Sequence, residues 1–67
     1  MTLTERENDV LLLLTSGYTN KEIAERLNIT HHTVKAHIGA ILRKFGCKNR
    51  TDAAIFAERN NVIHPPD

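Results

Sequence analysis

Residues 18–38 read YTNKEIAERLNITHHTVKAHI and divide into two short helical patterns. Thr19 precedes Glu22 by three residues, which is the spacing of a capping box, and Thr30 stands directly before the second pattern. Between the two patterns, Asn28 can adopt the left-handed conformation that ends a helix. Two capped helices joined by such a short turn are typical of the helix-turn-helix motif.

The same signals predict one further helix on each side of this motif. Thr4 and Glu7 form another capping box, and Gly17 suits the left-handed position after helix one. Gly46 ends helix three, and Asn49 can cap helix four. Because no period-two alternation is present, we expect no sheet. The sequence therefore predicts an all-α, four-helix helix-turn-helix domain with helices at residues 5–16, 20–27, 31–45 and 50–60.

Length and residue types exclude several classes of protein. A chain of 67 residues has no room for a walled catalytic pocket, and no catalytic set or phosphate loop is visible, so we expect no enzyme. We place the domain at residues 1–64 and a tail at 65–67, where two prolines cannot continue a helix. No apolar run is long enough to cross a membrane.

Cysteine and histidine usage gives no sign of a metal or cofactor. A single cysteine, Cys47, excludes a disulfide framework and a Cys-based zinc site, and it favours a reducing, cytoplasmic setting. His31, His32 and His37 lack the i, i+4 spacing of a helical metal-binding pair. We therefore expect no metal and no cofactor.

The net charge of +1 is distributed very unevenly along the chain. From Arg26 to Thr51 there are six basic residues and no acidic one, whereas the rest holds three basic and eight acidic residues. The positive segment contains the second helix of the motif, which in helix-turn-helix proteins enters the DNA major groove. Double-stranded DNA is therefore the expected partner, bound with a salt-dependent attraction. A solvated basic surface without a ligand is the alternative.

Helix three separates into an apolar and a polar face at 100° per residue. Lys35 can reach a guanine, Arg43 a guanine or a phosphate, and Ala36 a thymine methyl group. The candidates for base contact on the polar face are His32, Lys35, Ala36, Gly39 and Arg43. The candidates for backbone contact, which include the start of helix two, are Thr19, Asn20, Lys21, His31, Thr33 and Lys44. If His31 and His32 contact phosphate, DNA affinity should depend modestly on pH near 6–7. The alternative is that both histidines are simply solvated.

Five segments together resemble the LuxR/NarL-type DNA-binding domain, over about residues 2–63. These segments are LTERE (3–7), GYTNKEIA (17–24), TVKAHI (33–38), KFG (44–46) and NRTDAA (49–54). The resemblance implies a transcription regulator, commonly the output half of a two-component response regulator, whose third helix reads DNA. It places Lys35, Ala36 and Gly39 at base-contacting positions. It also implies a fourth helix through which two copies pair on DNA, and it raises RNA polymerase as a further partner. Because one helix face is a small interface, we expect pairing to be weak without DNA.

Several residues allow more than one interpretation. Relatives often carry a polar or basic side chain where this chain has Gly39, so either helix three sits deep in the groove or Gly39 is a tolerated surface position. Ile55 is predicted to lie near Thr51, Glu58 and Arg59 on one side of helix four. It is either the centre of a dimer interface or a lone exposed isoleucine without a special role. Arg50 contacts phosphate or pairs with a carboxylate such as that of Glu7.

Two other functions remain open at this point. A promoter-reading region of a sigma factor shares the Thr-x-Arg-Glu opening, but Asn49 to Ala57 supplies an additional helix expected of the LuxR type. A protein-interaction module that reuses the fold without DNA is disfavoured by the unbroken basic segment. The leading prediction is sequence-specific binding of double-stranded DNA in transcription regulation, with nucleoid association through that DNA.

Overall fold

The computed structural model describes residues 2–62, and within this range it contains four helices and no strand. The helices are α1 (Glu5–Thr15), α2 (Asn20–Leu27), α3 (His31–Phe45) and α4 (Arg50–Arg59). The predicted all-α fold is confirmed, although α1 and α4 each end one residue early because Ser16 and Asn60 are their caps. None of the four is long and apolar enough to cross a membrane. The predicted tail at residues 65–67 lies outside the described range.

Each helix begins at the side chain that the sequence predicts as its cap. Thr4 and Thr19 form complete capping boxes, in which each hydroxyl accepts an N–H from the third helical residue and that residue's carboxylate accepts the threonine N–H. Thr30 and Asn49 cap α3 and α4 through side-chain oxygens that accept a backbone N–H three residues later. Each such cap stabilises its helix by about 1 kcal/mol.

All four helices also end in the same way. A residue with positive φ follows the helix, and the N–H of the next residue reaches back to the carbonyl oxygen five residues earlier. The left-handed residues are Gly17, Asn28, Gly46 and Asn61, with φ of 94°, 55°, 68° and 53°. The N–H groups that reach back belong to Tyr18, Ile29, Cys47 and Val62, over 3.2, 3.0, 3.0 and 2.9 Å. Only Asn61 was not predicted.

The long helix α3 packs against each of the other three helices. Its predicted apolar face is confirmed: Val34, Ile38 and Ile41 are buried, and Leu42 and Phe45 are partly buried at its margin. The largest fully buried side chains come from α1, α2 and α3, and they are Val10, Leu11, Ile23, Val34 and Ile41. One face of α3 is thus fixed inside the domain, and the opposite face is left outward.

The apolar stripe of α1 differs from the prediction. In the sequence, helical spacing predicts Val10, Leu13 and Leu14 as the apolar face of helix one, but the structure buries Leu11 completely and leaves Leu13 half-buried. The buried stripe begins at Glu7, which is 6% exposed, and continues at i+3, i+4 and i+7. The apolar residues alone do not define this stripe, because its first member, Glu7, is charged.

Helix α4 packs on both α1 and α3. The rings of Phe56 and Phe45 lie with centroids 4.6 Å apart and planes tilted by 32°. Ala53 and Ala57 are fully buried on the same side of the helix. The aromatic pair therefore attaches α4 to the last turn of α3, which orients the outer face of α4 away from the core.

Candidate nucleic-acid interface

The outward face of α3 consists of the predicted base-contact residues. His32, Lys35, Ala36 and Arg43 are exposed, and Gly39 is half-buried. Within residues 2–62, Lys35 and Arg43 form neither a hydrogen bond nor an ion pair with another side chain. The structure thus places all five residues on one surface, with two cations available to an external ligand.

The small residues Ala36, Gly39 and Ala40 predict a nearly smooth centre for this face, but a guanidinium lies against it. A Cβ built on Gly39 would be 3.4 Å from Nη1 of Arg43, and no other atom outside the helix backbone lies within 4 Å of it. Between this site and the start of α2, an open depression of about 320 Å³ is bounded partly by Lys35 and Asn20. The surface therefore continues from α3 onto α2.

The start of α2 supplies part of the predicted backbone-contact set. The N–H of Thr19 donates to Glu22 Oε1 over 2.8 Å as half of the capping box, so this N–H is not free for a phosphate. The same N–H and the Thr19 hydroxyl hold the pKa of the Glu22 carboxyl below its usual value. The N–H groups of Asn20 and Lys21 have no acceptor within the described range. These two groups remain available for an anion.

Arg50 binds the start of α2, and its alternative contact with phosphate stays a prediction. Its Nη1 donates to Oδ1 of Asn20 over 2.5 Å, and its Nη2 donates to the carbonyl oxygen of Tyr18 over 3.0 Å. The predicted pairing of Arg50 with a carboxylate such as that of Glu7 is wrong, because Glu7 is occupied by Lys44. Arg50 instead joins the first turn of α4 to the first turn of α2.

Lys44 connects the last turn of α3 to the start of α1. Its ammonium pairs with Oε1 of Glu7, which also accepts the N–H of Thr4, and it donates to the carbonyl oxygen of Thr2 over 3.3 Å. The hydrogen bond from Lys44, followed by that from Thr4, holds the pKa of the Glu7 carboxyl below its usual value. The predicted contact of Lys44 with the DNA backbone stays a prediction, with one N–H left for it.

The remaining backbone candidates lie at the start of α3. His31 is exposed, and Thr33 is half-buried with its Oγ1 2.8 Å from Oγ1 of Thr30. Nearby, the guanidinium carbon of Arg26 lies 4.1 Å from the centre of the Tyr18 ring. This contact was missed because the two residues belong to different segments, and no periodicity relates them.

The outer face of α4 carries the predicted dimer residues. Ile55 is 44% exposed, and no other large apolar side chain within residues 2–62 is classed as exposed. Thr51, Glu58 and Arg59 are exposed as well. Cys47 is a free, half-buried thiol beside the same face. In the described part of the chain, no three potential ligands are grouped so that they can hold a metal.

A short α2, a turn with left-handed Asn28, and a long α3 with a polar outward face define a helix-turn-helix protein. The chain belongs to the family described as "Bacterial regulatory proteins, luxR family", which matches residues 1–57. The predicted LuxR-type resemblance is thereby confirmed.

Individual relatives agree with this assignment. The transcriptional regulatory protein LiaR of Bacillus subtilis (strain 168) is 50% identical over 62 residues, covering 92% of this chain and 29% of LiaR. The structure of the transcription factor GerE superposes with a TM-score of 0.85 at 31% identity, covering 96% of this chain and 97% of GerE. The response regulator ChrA of a heme-sensing two-component system gives a TM-score of 0.89 at 36% identity, covering 94% of this chain and 31% of ChrA.

Proposed function

We propose that this chain binds double-stranded DNA in a sequence-specific manner to regulate transcription, with α3 in the major groove. The observation that carries the proposal is the polar, basic outward face of α3, held in place by the buried Val34, Ile38 and Ile41 on the opposite side. A major groove about 12 Å wide accommodates a helix with its side chains. We assign no catalytic activity to the chain.

The two groups of site residues have different tasks in this proposal. The residues on the outward face of α3 meet base edges, and they are His32, Lys35, Ala36, Gly39 and Arg43. The residues at the helix starts and in the last turn of α3 meet phosphates, and they are Thr19, Asn20, Lys21, His31, Thr33 and Lys44. Phosphate contacts fix the register of the domain, whereas base contacts carry the sequence information.

The likeness to response regulators supports a role as an output domain. The chain spans 29% of LiaR and 31% of ChrA, so a longer protein of that kind would carry a further, regulatory part. In this proposal the protein is cytoplasmic and associates with the nucleoid through DNA. RNA polymerase is an additional partner, to which the proposal assigns no residue.

We propose that two copies pair through α4 when they bind DNA. Ile55 lies at the centre of the exposed set that includes Thr51, Glu58 and Arg59, and a two-fold axis there would bring two Ile55 side chains together. One helix face provides a small interface, so pairing is weak without DNA.

The substitution Ile55→Glu tests this pairing, with Ile55→Leu as the matched control. On a duplex with two half-sites, Ile55→Glu should abolish cooperative binding and keep the affinity for a single half-site, while Ile55→Leu should preserve both. Cooperative binding by Ile55→Glu would exclude α4 as the dimer interface.

Selection of binding sites from a random duplex library at near-physiological salt tests the function itself. Enrichment of an inverted repeat with half-sites about one helical turn apart is the expected result. Binding without an enriched sequence would leave only the electrostatic attraction. No binding at all would refute the proposal and favour a protein-interaction role.

A further inference from the structure

Gly39 and Arg43 lie four residues apart on α3, on the same outward face. The guanidinium of Arg43 is folded back along the helix, so that its Nη1 lies 3.4 Å from the place of a Cβ on Gly39. Long side chains on a helix point toward its N-terminus, which allows this arrangement. A Cβ at this position would lie in van der Waals contact with the guanidinium, so only a longer side chain would compete for the space that the guanidinium occupies.

No other polar side chain fills the centre of the face. The neighbouring residues Ala36 and Ala40 end in methyl groups, and Lys35 lies one turn before Gly39. Within the described range, the guanidinium of Arg43 has no carboxylate partner. A planar guanidinium with a free pair of parallel N–H donors matches O6 and N7 of guanine.

We propose that Gly39 provides a seat for Arg43, meaning open space on the helix surface against which the guanidinium lies, and that this pair reads a guanine separate from the base read by Lys35. The inference rests on the proposed DNA-binding function and assigns its specificity to a coupled pair. The Cα atoms of Lys35 and Arg43 are about 12 Å apart along the axis at 1.5 Å per residue. The two cations therefore approach different positions in one half-site. In this arrangement Gly39 is a positioning residue that acts through Arg43.

Four variants of the chain separate this pair from a simple phosphate contact. Arg43→Ala removes the guanidinium, and Arg43→Lys keeps the charge without the fork. Gly39→Leu fills the seat, whereas Gly39→Ala places one methyl group at ordinary contact distance and is the matched control. Because leucine is a good helix former, Gly39→Leu should not lower the Tm, and circular dichroism checks that each variant is folded.

The measurement is the affinity of each variant for the selected half-site and for every single-base substitution of it. Arg43→Ala should lose about fivefold or more of the discrimination for guanine at one position and keep the preferences elsewhere. Arg43→Lys should lose the same preference with a smaller loss of affinity. Gly39→Leu should reproduce the loss at that position, and Gly39→Ala should resemble the original chain.

Combining Gly39→Leu with Arg43→Ala shows whether the two residues are coupled. The double variant should discriminate no worse than Arg43→Ala alone. If the losses of discrimination in the two single variants multiply in the double variant, the inference is overturned while DNA binding stands. A uniform loss of affinity across all duplexes in Arg43→Ala would overturn it as well. If the original chain itself prefers no sequence, then the proposed function and this inference both fail.

Discussion

Lys35 near the start of α3 and Lys44 in its last turn are identical in type but lie in opposite environments. Lys35 is exposed on the outward face and has no side-chain partner within residues 2–62. The ammonium of Lys44 is bound to the buried carboxylate of Glu7. On α3 the charge of Lys35 is therefore available to a ligand, whereas the charge of Lys44 stabilises the fold and leaves one N–H for a phosphate.

The same division applies to the arginines of the segment. Arg50 donates two hydrogen bonds that join α4 to α2, whereas Arg43 has no carboxylate partner in the described range. A count of charges along the sequence thus overstates the cations that can meet DNA. Position on the fold decides which of them retain free N–H groups.

The largest effect is expected from breaking the ion pair between Lys44 and Glu7. Lys44→Ala leaves the largely buried Glu7 carboxylate without its cation and with the Thr4 N–H as its remaining donor, which should lower the free energy of unfolding by about 2–3 kcal/mol. Lys48→Ala is the matched control, because Lys48 is exposed, and it should change stability by less than about 0.5 kcal/mol. Urea unfolding at pH 7 measures both. Equal stability of the two variants would show that Lys44 has no structural role.

The next largest effect is expected at Lys35, which is exposed on the outward face of α3. Lys35→Ala removes a base contact and should weaken specific DNA binding by about 1–3 kcal/mol, since a well-placed base contact contributes that much. The free energy of unfolding should remain within about 0.5 kcal/mol of the original value. Fluorescence anisotropy with a selected duplex measures the affinity. A loss of stability without a loss of affinity would reverse the roles assigned to the two lysines.

Much of the fold follows from local sequence signals, because caps and left-handed residues act over only a few positions. Thr4, Thr19, Thr30 and Asn49 each begin a helix as predicted. The charged member of the α1 stripe, Glu7, was missed since its burial depends on Lys44, which lies 37 residues away in the sequence. Local patterns cannot reveal such a partner.

The candidate interface was predictable to a similar extent. Helical periodicity identified the outward face of α3, and the structure confirms which side chains share it. The hydrogen bonds of Arg50 and the seat of Arg43 on Gly39 were not predictable, because both depend on the direction of a long side chain. The sequence therefore identifies the surface, and the structure distinguishes its free cations from its bound ones.

A smaller effect is expected when the ion pair is titrated. The folded-state pKa of Glu7 is depressed, mainly by the hydrogen bond from Lys44, so the unfolded chain binds the proton more readily. The stabilisation is present above the usual pKa of 4.5 and is lost as the pH falls through the lower folded-state value. Unfolding measured from pH 7 to pH 3 should show this decline. In Glu7→Gln the decline should be shallower, and an unchanged slope would contradict the assignment.

The smallest effect is expected at Arg50, which joins the first turn of α4 to the first turn of α2. Arg50→Lys cannot donate to Asn20 and Tyr18 with the same fork, so the start of α2 should be less well fixed. We expect DNA affinity to fall by about 1 kcal/mol, with all duplex sequences weakened equally, because backbone contacts carry no sequence information. A change in base preference would place Arg50 in the reading surface instead.

A titration of the isotopically labelled chain with a selected duplex, followed by amide chemical shifts, tests the division of α3 most directly. We predict the largest shifts at His32, Lys35, Gly39, Arg43 and the start of α2, with smaller shifts at Lys44, whose ammonium keeps one N–H for a phosphate, and at Glu7. The largest shifts around Glu7 and Lys44, with Lys35 and Gly39 unchanged, would contradict the account and place the nucleic-acid interface where α3 meets α1.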